Sequence, residues 1–236
     1  TYAGDVDFGP EATLDGNLAE DYNDFRLMWF DAWLKGLGNG VREDPPVHIF
    51  VMGGGDGRKN ADGRLNHGGT WRYEDQWPLD RTRYTNYYLH ADGLLSSQPP
   101  GEDLPPSRYQ FDPDHPVPTI GGNLSSGPGL LDPGAYHQAE RPDKYGSREP
   151  YLPLSSRHDV LVFQTPPLDE DVELTGPITV DLWVSSSAAD TDFTVKLLDV
   201  YPPSQDYPQG FEMNLTDSIM RARYRDSFEH PEMMEP

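Results

Sequence analysis

Three observations predict a mainly β fold. Between residues 180 and 201 two alternating apolar runs, Val180/Leu182/Val184 and Phe193/Val195/Leu197, flank a polar connection made of Ser185, Ser186, Ser187, Ala188, Ala189 and Asp190. Alternation on both sides of such a connection is the pattern of two antiparallel strands, each with one face in a core. Short apolar runs also recur at 159–165, 172–175, 178–184, 193–199 and 219–224 with turn residues between them, as in a β-sandwich or jelly roll. Finally, 23 Gly and 24 Pro in 236 residues favour many turns and few long helices.

The elements follow in order. Residues 1–16 read as a Gly/Asp/Pro-rich loop. Asn17 followed by Glu20 has the form of a capping box, and Leu18, Tyr22, Phe25, Met28, Trp29, Ala32 and Trp33 recur at helical spacing until Gly36 stops the run. A helix of about five turns is expected, its aromatic stripe packed on a sheet. Residues 47–52 (VHIFVM) form a continuously apolar run, expected as a strand buried in a mixed or parallel sheet. Residues 53–77 read as a Gly-rich, charged surface loop pinned by Trp71 and Trp77. Its GGGDG lacks both the Lys-Ser/Thr ending of a phosphate loop and the GxGxxG spacing, and His67, Asp62, Glu74 and Asp75 do not have the spacing of a metal motif. Further strands are expected at 84–90, 94–95 and 108–111, then a rigid Pro-rich loop at 112–122. The irregular stretch 123–156 exceeds the loop lengths usual in compact domains, which marks it as mobile or functional. Arg221, Arg223 and Arg225 alternate along the last run, a face expected to pair with Asp and Glu. Asp190 and Asp192 are expected to bond backbone groups between two strands, not to bind calcium.

Composition limits function. Forty acidic against 18 basic residues give a net charge of −22, which argues against nucleic-acid and anionic-membrane partners, because phosphate recognition is built on clustered Lys and Arg. With four Lys against fourteen Arg, adaptation to high salt would show as loss of folding at low salt. The absence of Cys removes disulfides and thiolate chemistry without fixing a compartment. No apolar run approaches a membrane span, and residues 1–10 lack a signal-peptide pattern. The chain opens without Met and closes on Met233, Met234, Glu235 and Pro236, so both ends are expected to be cuts in a longer protein.

A family pattern is carried by several short motifs in sequence. These are YYL at 87–89, Phe111-Asp112-Pro113, Pro116-Val117-Pro118-Thr119, Gly121-Gly122, Arg157 with Asp159-Val160-Leu161, Gly176, SSSAADTDF with KLLDVYP, and RARYR at 221–225. Over about residues 83–227 they resemble the C-terminal jelly roll of the X-prolyl dipeptidyl-peptidase and cocaine-esterase hydrolase family. Phe30, Asp31, Trp33, Leu34, Lys35 and Gly36, then residues 49–53 and Trp71 to Trp77-Pro78, resemble the last helix and strand of that family's α/β-hydrolase domain. The resemblance implies residues 1–80 as the tail of the α/β domain and residues 81–236 as an incomplete jelly roll.

It also implies a serine hydrolase of dipeptidyl-peptidase, acylase or esterase type, acting on a small ester, amide or peptide without a cofactor. In the family a Ser on a sharp turn attacks the carbonyl, with His as base and Asp orienting it. No Gly-x-Ser-x-Gly occurs here, and none of the seven His stands at the catalytic position, so the triad is expected outside this chain and the chain alone is expected to be inactive. The segment after Pro-Thr-x-Gly-Gly reaches the acyl site in relatives. The matching Asn123, Leu124, Ser125 and Ser126 imply a small, polar pocket wall; as plain turn formers they would have no such role. The alternative function is a jelly-roll module that binds carbohydrate or protein without catalysis. Exposed sheet edges would favour homo-oligomers.

Overall fold

The computed structural model describes residues 1–13, 21–101, 104–123, 126 and 129–235. Among these residues it is mostly β with one α-helix. Strands β1 (Tyr2–Ala3) and β2 (Val6–Asp7) precede α1 (Tyr22–Leu34), and β3 (Val47–Met52), β4 (Leu65–Asn66) and β5 (Gly69–Glu74) follow. After β6 (Tyr88–Leu89) and β7 (Leu95–Ser96), a long irregular stretch leads to β8 (Asp192–Tyr201) and β9 (Phe211–Arg221). The strands pair as β1-β2-β4, β3-β5, β6-β7 and β8-β9.

The core lies where β2, β4 and β9 meet. Val6, Phe8, Leu65, Ala135, Phe211 and Met213 are buried together, with Phe50, Tyr201, Tyr207 and Leu215 around them. Alternation explains the β9 share, since Phe211 and Met213 point into the core while Glu212 between them does not. The N-terminal segment is held by backbone bonds from Asp5 N–H to the Ala135 carbonyl and from Leu65 N–H to the Asp5 carbonyl, both 2.9 Å.

β8 contains the expected 193–199 strand, yet its partner is β9 and not residues 178–184, which form no strand. In β9 the apolar alternation of Phe211, Met213 and Leu215 lapses at Asp217, and the register shifts opposite Leu197/Leu198. The run expected at 219–224 is the end of β9 followed by a 3-10 turn at Ala222–Tyr224. No strand forms at 108–111, 159–165 or 172–175 either, and of 84–90 only β6 pairs. Each of these runs is apolar enough to be a strand, but a strand requires a neighbour for its backbone groups.

The β3 boundaries are those expected, but its setting differs. It is half-buried and antiparallel to β5, with Phe50 opposite Trp71 and His48 opposite Tyr73. Residues 53–77 are therefore not all loop. Trp71 does act as a pin, its indole N–H donating to the Glu11 carbonyl at 2.7 Å.

The helix is also shorter than expected. Its N-cap is Asp21, whose carboxylate accepts from the N–H groups of Asn23 (2.6 Å) and Asp24 (2.9 Å). Asn17, Leu18 and Glu20 lie outside the described residues. Gly36, at φ +71°, supplies the expected stop. Among the described residues, the aromatic stripe does not pack on a sheet. Only Ala32 is buried, and Leu27, Trp29, Phe30, Trp33 and Leu34 are exposed.

Candidate functional site

The stretch 116–134 contains the expected pocket wall, and its geometry is built from two glycines. Ile120 is fully buried and its carbonyl accepts from the Gln138 amide at 2.8 Å, which fixes the approach. Gly121 (φ +67°) and Gly122 (φ +87°) then turn the chain through left-handed conformations that residues with a Cβ rarely adopt. Gly122 and Gly134 exchange N–H···O bonds of 2.9 and 3.1 Å, closing a loop at its neck.

Asn123 fastens the start of this loop to β9. Its N–H donates to Asp217 Oδ1 at 3.1 Å, and its side-chain amide donates to Thr216 Oγ1 (3.2 Å) and the Asp217 carbonyl (3.1 Å). Asp217 Oδ2 in turn meets Lys196 Nζ on β8 at 3.1 Å. Further along, Ser126 N–H donates to the Leu131 carbonyl at 3.1 Å. Asn123 and Ser126 thus belong to one anchored loop, while Leu124 and Ser125 lie outside the described residues.

Five of the seven histidines are tied into structure through their rings. His137 lies against Phe211, and its Nδ1 accepts the Glu212 N–H at 3.0 Å, which requires a neutral ring nitrogen there. Burial holds its pKa below the usual imidazole value. His67 is buried beside Phe8, its Nδ1 3.3 Å from the Gly68 carbonyl and its Nε2 4.0 Å from Asp199, and burial lowers its pKa as well. His48 stacks on Tyr73 at 3.9 Å, and His90 Nε2 lies 2.9 Å from the Gln98 carbonyl. His115 Nε2 meets Arg157 at 3.1 Å. Among the described residues, no seryl hydroxyl is bonded to an imidazole ring.

Two of the acidic candidates are also committed. Asp62 pairs with Arg64 at 3.6 Å, and Glu74 is held between Arg72 and Arg81. Among the described residues, no three His, Asp or Glu side chains converge as a metal site. Asp190 accepts the Arg223 N–H at 3.1 Å, and Asp192 makes a two-point pair with Arg221 at 2.7 and 2.9 Å. Arg223 also lies 3.4 Å from Asp190, and Arg225 lies 3.2 Å from Asp226. The arginine series is thus paired with carboxylates as expected, and Asp190 bonds a backbone N–H as expected, whereas Asp192 bonds a guanidinium.

Two features were not foreseen. An open cleft of about 710 Å³ lies between residues 55–58 and 201–206. Its walls are the GGGDG and YPPSQD turns, so a pair of turn-rich motifs was the only available signal. The second is a charge cluster just after the 123–156 stretch, where Arg157 grips Asp159 through two 2.8 Å bonds and reaches back to Glu140 at 3.4 Å. Arg157 holds the Asp159 carboxyl below its ordinary range.

The fold and this site define a mainly β, accessory type of domain. Residues 39–236 match the X-Pro dipeptidyl-peptidase C-terminal non-catalytic domain, and the chain belongs to the X-prolyl dipeptidyl-peptidase and cocaine-esterase hydrolase family. It is 35% identical over 215 residues to the cocaine esterase of Rhodococcus sp. (strain MB1 Bresler), covering 88% of this chain and 31% of that protein. A solved α-amino acid ester hydrolase superposes with a TM-score of 0.57 at 26% identity, covering 88% of this chain and 31% of its own. An aminopeptidase from a marine-sediment Thaumarchaeota archaeon, at 21% identity and TM-score 0.50, covers 91% of this chain and 31% of its own and shares the fold. The chain therefore spans about a third of the length of these relatives.

Proposed function

We propose that this chain is the non-catalytic C-terminal part of a serine hydrolase that cleaves an ester or amide bond, with its Ser, His and Asp outside these 236 residues. The 35% identity to a cocaine esterase over 88% of the chain carries this reading. The engagement of His48, His67, His90, His115 and His137 in packing and hydrogen bonds supports it. The carbohydrate- or protein-binding alternative has no comparable support, since the relatives bear hydrolase names.

On this reading α1 is the tail of the α/β-hydrolase domain, and its exposed aromatic face lies against that domain. The expected division at residue 80 then moves toward residue 39, because β3 and β5 fall inside the matched stretch and β3 contributes Phe50 to the edge of the core. The loop from Asn123 to Ser126 is proposed as a pocket wall whose small, polar side chains accept a bulky or polar acyl group. Small-molecule ester, amide or peptide substrates follow, with no cofactor, no nucleic acid and no membrane partner. Edge-to-edge homo-oligomers of the isolated domain also follow.

The test uses the complete polypeptide and the 236-residue chain side by side. Turnover of p-nitrophenyl acetate is expected only from the former. A fluorophosphonate should label one serine that peptide mapping places outside these residues. Turnover by the 236-residue chain, or labelling within it, overturns the reading. Replacing Ser125 by Leu and Ser126 by Phe together should shift acyl preference toward smaller groups, and an unchanged preference removes the pocket-wall assignment.

A further inference from the structure

We infer that Asn39 is a site of spontaneous covalent modification, at which the Gly40 backbone nitrogen closes on the Asn39 side-chain amide and the product unfastens the loop that runs back along α1. The sequence contributes the first observation. Of the eight Asn, Asn39 alone precedes Gly. A following residue with a Cβ crowds the approach of its backbone nitrogen to the Asn side chain, and Gly removes that obstacle. The reaction needs water and no other partner. The Gly40 nitrogen bonds to Asn39 Cγ and gives up its proton, the Cγ–Nδ2 bond breaks, and Nδ2 takes up a proton and leaves as ammonia. Water then opens the resulting cyclic imide at either carbonyl. An aspartyl or an isoaspartyl residue remains, with a carboxylate in place of the amide.

The structure supplies the geometry and the consequence. Asn39 and Gly40 are both exposed and lie between α1 and β3, outside helix and strand. Among the described residues the Gly40 N–H donates no hydrogen bond, so the attacking nitrogen is not tied up. Asn39 Oδ1 accepts the Val41 N–H at 3.5 Å, which folds the side chain back along the Gly40 peptide and puts a donor where charge develops during attack. The leaving nitrogen carries a structural bond, since Nδ2 donates to the Met28 carbonyl at 2.8 Å. Arg42 makes the companion contact, donating to the Ala32 carbonyl while its guanidinium lies 5.0 Å from the centre of the Trp33 ring. These two side chains fasten the return loop to the helix. A carboxylate at position 39 has no proton to donate, so the Met28 carbonyl then faces an acceptor. Arg42 is left to hold the loop without Asn39, and the isoaspartyl product adds a methylene to the main chain.

The experiment incubates the complete polypeptide in mildly alkaline buffer and follows each Asn by tryptic digestion and mass spectrometry. Trypsin releases residues 36–42, which contain Asn39 as their one Asn, by cutting after Lys35 and Arg42. That peptide should gain about 1 Da and split into two species of equal mass, one of them a substrate for isoaspartyl methyltransferase. Its conversion should outpace that of every other Asn-containing peptide by at least about tenfold, because Gly alone leaves the nitrogen uncrowded. Asn39→Gln, whose longer side chain cannot close the same ring, should abolish the gain. Brief trypsin treatment of the native protein reads the second half of the inference. Cleavage after Arg42 should become at least about threefold faster on ageing, as local opening exposes the loop, and fresh Asn39→Asp should match the aged protein. An intact Asn39 amide after another Asn has converted, or no conversion at any Asn, overturns the inference. A mass gain that persists in residues 36–42 of Asn39→Gln also overturns it. Conversion at Asn39 with the Arg42 cleavage rate unchanged, both on ageing and in Asn39→Asp, overturns the unfastening of the loop.

Discussion

Strand β8 and the run over residues 178–184 carry similar side chains in opposite surroundings. Phe193, Val195 and Leu197 of β8 are at least half covered, and their backbone is laddered to β9 over ten residue pairs. Ile178, Val180, Leu182 and Val184 are exposed, as is Trp183 at 96%. Both stretches alternate; they differ in what lies beside them. The helix repeats the lesson, since its regular stripe of Trp29, Phe30 and Trp33 faces outward. An amphipathic pattern states which face needs cover, and only the rest of the fold supplies it. In a family whose members are about three times this length, the uncovered faces are where we expect other parts of the protein to pack.

The sharpest way to break this comparison is to disturb the covered side. Asp159→Ala leaves the Arg157 guanidinium with Glu140 and His115 but without its two-point partner. Arg157 is only 11% exposed and the Asp159 side chain 2%, so removal should destabilise the domain by roughly 3–5 kcal/mol, the usual result of breaking a buried pair from one side. Met213→Ala, at the centre of the core, should cost about 3 kcal/mol from lost burial and the cavity left behind. Urea unfolding followed by Trp fluorescence measures both. A cost below about 1 kcal/mol for Met213→Ala would mean that β9 does not organise the core as described.

Proton binding sharpens the same contrast at smaller amplitude, because the buried His67 and the partly buried His137 both lie on the covered side. Burial depresses the pKa of His67, which faces Asp199, and of His137, which faces Glu212, Asp5 and Arg141. The unfolded chain therefore takes up protons near 6.5 that the folded chain refuses. Stability should fall as pH drops through 6.5 toward the lower folded values, by no more than about 1.4 kcal/mol per pH unit for each ring. His137→Gln should flatten that part of the profile. It should leave the more acidic part, where the contribution of Glu173, held at about 2 chiefly by Arg72 and then Thr175, is lost as pH falls from 4.5, where the unfolded chain protonates, toward the folded value. Chemical denaturation at stepped pH tests this, and a variant with the parent's slope between about pH 5 and 6.5 would contradict it.

Local features were legible and distant ones were not. The bounds of β3 follow from VHIFVM, and the Gly36 stop follows from composition alone. The partner of β8 differs from the expected one because the nearer run at 178–184 alternates over four apolar positions, whereas in Phe211–Arg221 the alternation of Phe211, Met213 and Leu215 lapses at Asp217. At the site, motif order located Gly121-Gly122 and the segment after it. The bond from Asn123 to Asp217 joins residues 94 apart, and no spacing rule reaches that far. Charge pairing was legible in kind, in that Arg221, Arg223 and Arg225 all meet carboxylates, while the particular pairing of Arg221 with Asp192 is set by the β8–β9 register.

The smallest expected effect is also the most direct test of the uncovered side. Trp183 is the most exposed large apolar residue described, and its neighbours Leu182 and Val184 form no strand. Trp183→Ser in the 236-residue chain should therefore change unfolding free energy by less than about 0.5 kcal/mol, as surface substitutions do. It should also reduce self-association in sedimentation velocity, since an exposed indole beside open backbone edges favours contact between copies. A buried Trp would instead cost about 3–5 kcal/mol on truncation, so the two outcomes are well separated. The same substitution in the complete polypeptide adds a second reading: if further chain covers residues 178–184 there, the cost should rise from near zero toward that larger range. Equal, small costs in both would show that this run stays exposed in the whole protein, and would remove the reason to treat it as a packing face.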